Sequence, residues 1–247
     1  MVQRYRIRWT KEARTRFISA RDLTSVWERG LRRVDLPIAY SEGFTPHPKV
    51  SFPDALPVGF ASTGEYAELT FAAPIVPDRD LARLSDTLPA GMDITTYLAV
   101  PDGAPKLARM LRATLWELVW PPVDVAELTT LLTRRCDELL AQERAEVVRH
   151  RPDGDRTIDV RPAVLALAAS ARPTAGGDAC TVLRAVLRND GPTVRPTDLH
   201  AALSHEDIAE PALYRRVAQG EPVDGGLREA LSAAVVPLVP DVDAEAA

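Results

Sequence analysis

The stretch YRIRWTKEARTRFISARDLTSVWERGLRRV, residues 5–34, holds a strand pattern followed directly by a helix pattern. Tyr5, Ile7 and Trp9 alternate with arginines, which is the period-two pattern of a half-buried strand. From residue 21 to residue 34, apolar residues recur at three- and four-residue intervals, which predicts an amphipathic helix. Its apolar stripe consists of Leu23, Val26, Trp27, Leu31 and Val34. A strand that feeds a helix in this way is the opening of an α+β unit.

Four further patterns in residues 49–100 complete this unit. They are a strand KVSF (49–52), a strand GEYAELTF (64–71), a helix DRDLARLSDTLP (78–89) and a strand DITTYLAV (93–100). The resulting order, β-α-β-β-α-β, is the ferredoxin-like arrangement. The sequence therefore predicts a first ferredoxin-like unit over residues 1–103, with a basic helix and a Pro-rich loop that carries a histidine.

The second half of the chain has a similar strand–helix–strand–strand content. Its predicted elements are a strand (111–120), a helix capped by Asp124, a hairpin (144–162), two strands (163–170 and 179–188) and a short helix (197–204). An α+β unit is therefore expected over residues 107–240, so the predicted fold class is α+β with two ferredoxin-like units in tandem. The chain is expected to fray from about residue 224, with residues 241–247 disordered.

Composition argues against a membrane-spanning protein, a secreted protein and a metal-binding protein. No apolar stretch approaches the roughly 20 residues that a membrane-spanning helix needs, so no membrane association is expected. The N-terminus has no apolar signal segment, and a cytoplasmic location is the default expectation. Cys136 and Cys180 are the only cysteines, so the chain is not expected to build an iron–sulfur cluster or a zinc site. His200, His205 and Asp207 are expected to be surface residues, and no cofactor or metal is predicted.

Charge is distributed unevenly along the chain. Residues 1–50 hold eleven Lys/Arg and five Asp/Glu, a net charge of +6, whereas the whole chain carries −5. A basic N-terminal region on an acidic body favours an anionic ligand such as RNA, although solvated arginines alone produce the same pattern.

The segment YSEGFTPHPKVSF, residues 40–52, is the best candidate for a binding site. Gly43 can adopt a positive φ, and prolines on both sides of His47 fix the backbone that presents the imidazole. Lys49 offers a positive charge to an anion, and Tyr40, Phe44 and Phe52 are candidates to stack on a base. The predicted anion- or nucleic-acid-binding residues are Arg16, Arg21, Arg32, Arg33, Tyr40, Ser41, Gly43, Phe44, His47 and Lys49. The alternative is a rigid connection packed on the sheet.

Residues 16–69 resemble the radical-SAM-linked proteins, a family of unknown activity. The matching pieces are Arg16-Phe17, the Ser19/Asp22 helix start, the ERGLRR helix (28–33) and YSEGFTPHPKVSF (40–52). Weaker matches follow at IDVRP (158–162) and TVRPTDL (193–199). The resemblance implies an accessory role beside a cobalamin-dependent radical-SAM protein and a link to RNA metabolism. The chain departs from the family pattern at Ala20, where relatives usually carry histidine, and at Thr63-Gly64 before Glu65, which argues against carrying over an enzymatic role.

Three functions remain open from the sequence. The first is a non-catalytic RNA- or nucleotide-binding accessory protein that serves a radical-SAM partner or an RNA-processing pathway. The second is a metal-independent endoribonuclease in which His47 acts as general acid or base and Lys49 stabilises the charged transition state. The third is a protein-interaction subunit of a radical-SAM enzyme. With two cysteines, the chain is not expected to be a radical-SAM enzyme itself.

Overall fold

The computed structural model describes residues 3–54, 56–152, 154–174 and 176–240. The helices are α1 (Ala20–Val34), α2 (Pro77–Ser85), α3 (Val125–Ala141) and α4 (Pro196–Leu203). The strands of the first half are β1 (Gln3–Lys11), β2 (Val50–Ser51), β3 (Ala61–Phe71) and β4 (Ile94–Ala99). The remaining strands are β5 (Ala113–Val119), β6 (Glu146–Arg149), β7 (Arg156–Asp159), β8 (Val164–Pro173), β9 (Ala179–Arg188), β10 (Leu213–Val223), β11 (Gly226–Glu229) and β12 (Val235–Pro237).

These elements confirm the predicted α+β class. The chain divides into one unit of Met1–Met110 with Ala230–Ala233, and a second unit of Leu111–Glu229 with Ala234–Ala247. Across the described residues, no helix is both long enough and apolar enough to cross a membrane. The expected tail, residues 241–247, lies outside the described residues.

In the first unit, β1 pairs antiparallel with β3 on one side and with β4 on the other. Ile7 lies opposite Ala67 of β3 and opposite Tyr97 of β4. The short strand β2 pairs antiparallel with β3, with Val50 opposite Leu69. The predicted four-residue strand KVSF is therefore only two residues long, and its Phe52 lies beyond the pairing.

Helix α1 forms where its sequence predicts it. Ser19 caps the first turn, and its hydroxyl accepts a hydrogen bond from the backbone N–H of Asp22 at 3.2 Å. The helix ends at Val34, and the next residue, Asp35, adopts φ 52°, two residues before Pro37. Its apolar stripe faces β1, so that Trp27 and Leu31 join Trp9 in the core of the unit.

Phe52 is partly buried and packs against the core of the first unit. Its ring lies 6.0 Å from the ring of Trp27 and 6.3 Å from that of Trp9, and the two indoles meet edge to face at 5.4 Å. These contacts hold the ring against the two indoles, and its stacking on a base stays a prediction.

In the second unit, β5 pairs antiparallel with β9 and with β10, and β8 pairs antiparallel with β9. Strands β6 and β7 form the expected hairpin. Two expectations are wrong. Asp124 adopts φ 47° with no side-chain capping bond to the described residues, so it does not cap α3 as predicted. Residues 224–240 do not fray, because β11 pairs with β10 and β12 pairs with β11.

Candidate functional site

Residues 39–49 form a loop that the backbone closes at its base. Tyr40 and Pro48 make an antiparallel β-bridge, and Lys49 N–H donates to the Ala39 carbonyl at 2.7 Å. Ser41 N–H donates to the His47 carbonyl at 2.8 Å, and the Ser41 hydroxyl accepts from His47 N–H at 3.0 Å. These bonds hold the two ends of the loop together. Its tip is therefore presented from a defined base.

The tip of the loop is exposed. The ring of Phe44 is fully exposed, at 109%, and that of Tyr40 is exposed at 47%. Gly43 adopts φ 133°, a conformation that favours glycine, and no described heavy atom comes within 4 Å of the position that a Cβ would take. Gly43 is therefore needed for the backbone conformation of an open turn. No other part of the described chain packs against it.

Glu28 joins this loop to α1. One carboxylate oxygen lies 3.4 Å from His47 Nδ1, and the other accepts from the Arg32 guanidinium at 3.4 Å. The side chains of His47 and Arg32 are both about two-thirds exposed, at 66% and 67%, whereas that of Glu28 is 20% exposed. The carboxylate therefore orients an imidazole and a guanidinium that both remain accessible to solvent. This contact makes one surface from the C-terminal half of α1 and the loop.

The other predicted site residues fall into two groups. Arg33 is exposed beside Arg32 in the last turn of α1, and Lys49 is exposed at the base of the loop. Arg21 lies in the first turn of α1, which places it about 18 Å along the helix from Arg33 at 1.5 Å per residue. Arg16 precedes α1, and its guanidinium lies 4.7 Å from the centre of the Phe17 ring. The ten residues therefore divide into those of the loop and the end of α1, and two arginines, Arg16 and Arg21, near the start of that helix.

Of the two histidines near α4 that were expected at the surface, one is buried. His200 is buried, with 8% exposure, and its Nδ1 lies 3.3 Å from Glu210, so the expectation that it is a surface residue is wrong. His205 lies in an exposed cluster with Glu206 and Asp207, whose possible ligand atoms are within 4.8 Å of one another. Such clusters are common on surfaces without a metal.

The weaker matches in the second half have structural roles. Asp159 accepts from the backbone N–H groups of Ala145 at 2.9 Å and Arg161 at 3.2 Å. Arg161 donates to the Leu140 carbonyl at 2.9 Å and so satisfies the C-terminal end of α3. Arg149 donates two hydrogen bonds to the carboxylate of Asp198. Its Nε lies 3.0 Å from Oδ1, and its Nη2 donates to Oδ2. These residues hold the β6–β7 hairpin and α4 in place.

Sequence analysis missed a buried charge cluster in the second unit. Glu117 of β5 is 2% exposed and accepts from Arg184 at 2.7 and 2.9 Å, from Arg172 at 2.9 Å and from Arg215 at 3.4 Å. Burial by itself would raise the pKa of Glu117, but the nearby arginines outweigh it and hold that pKa below its ordinary value. Within LWELV the glutamate has no local partner, so the sequence carries no signal for this cluster.

Comparison with known proteins identifies the family. Residues 4–196 match the model of uncharacterised proteins conserved in bacteria (DUF2344). The chain belongs to this family. The match covers most of the first unit and the second unit as far as residue 196, so it extends well beyond the His47 loop.

Other comparisons add little. No curated protein matches the chain. Among solved structures, one described as the crystal structure of an unknown protein from Galdieria sulphuraria is similar at 10% identity, covering 82% of this chain and 88% of that one, with a TM-score of 0.25. A TM-score this low does not indicate a shared fold.

Proposed function

We propose that this DUF2344 protein binds single-stranded RNA, or another phosphate-bearing ligand, on the surface formed by the 39–49 loop and the C-terminal half of α1. The observation that carries the proposal is the fully exposed ring of Phe44 at the tip of a loop closed by backbone hydrogen bonds. An aromatic ring held at such a position offers a stacking face to a base at little cost in ordering, and base–aromatic stacking contributes about 1–3 kcal/mol per base.

Charge on the same surface supports an anionic ligand. Arg32 and Arg33 in the last turn of α1 and Lys49 in the loop are exposed, and Arg matches the geometry of phosphate oxygens. The acidic Glu28 engages Arg32 and His47 and leaves most of both side chains accessible. A ligand with phosphates along a chain and bases beside them fits a surface that offers both cations and an exposed aromatic residue.

An accessory role beside a radical-SAM protein is the context we propose for this binding. It is supported by the match of residues 16–69 to the radical-SAM-linked pattern. The two cysteines of the chain are too few for a cluster of its own, so any radical chemistry would belong to a partner.

We infer further that each unit is ferredoxin-like. In the first unit, β4, β1, β3 and β2 lie in that order with antiparallel neighbours. In the second, β10, β5, β9 and β8 have the corresponding order, with the β6–β7 hairpin inserted after α3. Helices connect the strands as in a β-α-β-β-α-β unit, which supports the inference.

Neutralising the cations of the loop surface tests the proposal. We expect Arg32→Gln, Arg33→Gln and Lys49→Gln together to weaken binding of a mixed-sequence single-stranded RNA of about 20 nucleotides by roughly ten- to a hundredfold at about 50 mM salt. Because each lost phosphate contact removes about 0.7 from the salt dependence of single-strand binding, the slope of log K against log salt should fall by about 2. Filter binding between about 50 and 200 mM KCl measures both.

A matched variant separates local contacts from net charge. Lys106→Gln, Arg134→Gln and Arg144→Gln together remove the same charge from exposed positions outside this surface and should leave affinity nearly unchanged. Phe44→Ala should weaken binding while keeping the salt slope, because stacking is not electrostatic. Equal losses in the two triple variants, or salt-independent binding by the wild type, would contradict the proposal.

A metal-independent endoribonuclease is the second candidate, and the His47–Glu28 contact favours it. A carboxylate 3.4 Å from Nδ1 can orient the ring so that Nε2 faces a substrate. For a nuclease we expect His47→Ala to lower RNA cleavage by about 10²–10⁴-fold and to leave RNA affinity nearly intact. A denaturing gel of the RNA after incubation measures cleavage, and intact RNA with the wild-type protein would exclude this function.

A further inference from the structure

We propose that the solvent face of α1 extends the RNA surface of the 39–49 loop to a second stacking position at Phe17, so that the ligand is a single strand of about five or more nucleotides. This inference rests on the proposed RNA-binding function. It narrows the ligand from any phosphate-bearing molecule to an oligonucleotide. All of the elements involved belong to the first unit.

Phe17 is a second exposed aromatic residue, and it lies just before α1. It is 58% exposed, although the backbone on both sides of it is anchored. Gly59 N–H donates to the Arg16 carbonyl at 2.8 Å, and Ser19 caps the helix. A ring held in this way can stack on a base at little cost in ordering, as proposed for Phe44.

Three arginines lie close to Phe17 in the chain. The Arg16 guanidinium is 4.7 Å from the centre of the Phe17 ring, and Arg14 and Arg21 are exposed. None of the three forms an ion pair with a residue in the described part of the chain. A guanidinium beside an aromatic ring offers phosphate recognition and base stacking in one place.

The solvent face of α1 joins this end to the loop. Arg21 and Arg32 are eleven residues apart, which is about three turns, so their side chains leave the helix in nearly the same direction, about 16 Å apart along its axis. Glu28, which contacts His47 of the loop, leaves the helix within about 20° of the direction of Arg21. This direction is opposite to the apolar stripe that packs in the core.

Charge along this face suits an extended anion. The helix carries four exposed arginines, at positions 21, 29, 32 and 33, against Asp22 and Glu28. Cations distributed along a helix match phosphates distributed along a strand, whereas a compact anion contacts only one end of the row. A stacked strand advances about 3.4 Å per nucleotide, so the distance of about 16 Å corresponds to about five nucleotides.

Two lengths of RNA test the inference. Labelled oligouridylates of about three and about eight nucleotides are titrated with the full chain at about 50 mM KCl and followed by fluorescence anisotropy. Only the octamer is long enough to contact Phe17 and the loop at once. Its affinity should therefore exceed that of the trimer by about tenfold or more, with one octamer bound per protein.

Variants at the start of α1 locate the second contact. We expect Phe17→Ala to weaken octamer binding about tenfold, because one stacked base is lost, and trimer binding at most about twofold, because the trimer can still bind at the loop. Phe17→Tyr keeps a flat ring and should bind the octamer as the wild type does. Arg21→Gln should lower the slope of log K against log salt by about 0.7 for the octamer.

Two matched controls remove similar groups elsewhere in the first unit. Leu98→Ala truncates an exposed apolar side chain on β4, opposite Arg6 and therefore on the face of the sheet away from α1. Lys106→Gln removes an exposed charge. Neither should change octamer affinity by more than about twofold.

The outcomes separate this inference from the proposed function. Weaker octamer binding in the Arg32→Gln, Arg33→Gln and Lys49→Gln triple variant, with Phe17→Ala and Arg21→Gln unchanged, would overturn the inference and leave the proposed function in place. Equal affinities for trimer and octamer would do the same. If the wild type binds neither RNA, both are wrong.

Discussion

Glu117→Gln is expected to lower the free energy of unfolding by about 3–5 kcal/mol, the largest effect of any single polar substitution that we predict for this chain. The carboxylate is 2% exposed and accepts hydrogen bonds from Arg172, Arg184 and Arg215. Removing its charge leaves three guanidiniums close together in a poorly solvated place. Their mutual repulsion and lost hydrogen bonds then act against folding.

The effect should depend on pH in one direction. The pKa of Glu117 in the folded protein lies below its ordinary value, because Arg172 and Arg184 outweigh the opposing effect of burial. A depressed folded-state pKa means that the stabilisation is fully present above the unfolded pKa of about 4.3 and is lost as the pH falls through the lower folded pKa. The difference between wild type and Glu117→Gln should therefore be largest near neutral pH and should shrink in acid.

Urea unfolding followed by circular dichroism at several pH values between about 3 and 7 measures this difference. Glu143→Gln is the matched control, since Glu143 is exposed in the loop after α3 and should change stability by less than about 0.5 kcal/mol. A loss below about 1 kcal/mol for Glu117→Gln, or one that grows as the pH falls, would show that the arginines do not depend on this carboxylate.

Trp27→Ala is expected to destabilise the first unit by about 3–5 kcal/mol. Trp27 is 1% exposed on the apolar stripe of α1, and its ring contacts those of Trp9 and Phe52. Truncation removes a large buried surface and leaves a cavity where α1 meets β1. The neighbouring rings cannot fill that cavity without leaving their own contacts.

Chemical denaturation of Trp27→Ala, Trp27→Phe and Phe44→Ala together tests this expectation. Trp27→Phe keeps an aromatic ring in the cluster and should lose less stability than Trp27→Ala. Phe44 is fully exposed, so Phe44→Ala should cost almost nothing. Similar losses for Trp27→Ala and Phe44→Ala would mean that the cluster is not the core of the unit.

Local sequence patterns were sufficient to predict the elements that are determined by their own residues. Ser19 with Asp22 and the apolar stripe of α1 predicted that helix to within one residue of its start. Alternation along β1 predicted the buried side chains of Tyr5, Ile7 and Trp9, although Arg6 between them is buried as well. The proline-flanked loop around His47 was also visible in the sequence, since prolines and a glycine act on their own backbone.

Tertiary structure decided everything that depends on which strands become neighbours. Glu117 meets Arg172, 55 residues away, and Arg215, 98 residues away, only because β5, β8, β9 and β10 form one sheet. The same holds for Lys11 and Glu65, which are buried, and for Phe52, which packs against the core. The sequence alone determined the α+β class and the local elements, because side-chain periodicity reports on each element's own exposed and buried faces. It did not determine which charges are buried, because burial is a property of the whole sheet and of the elements that cover it.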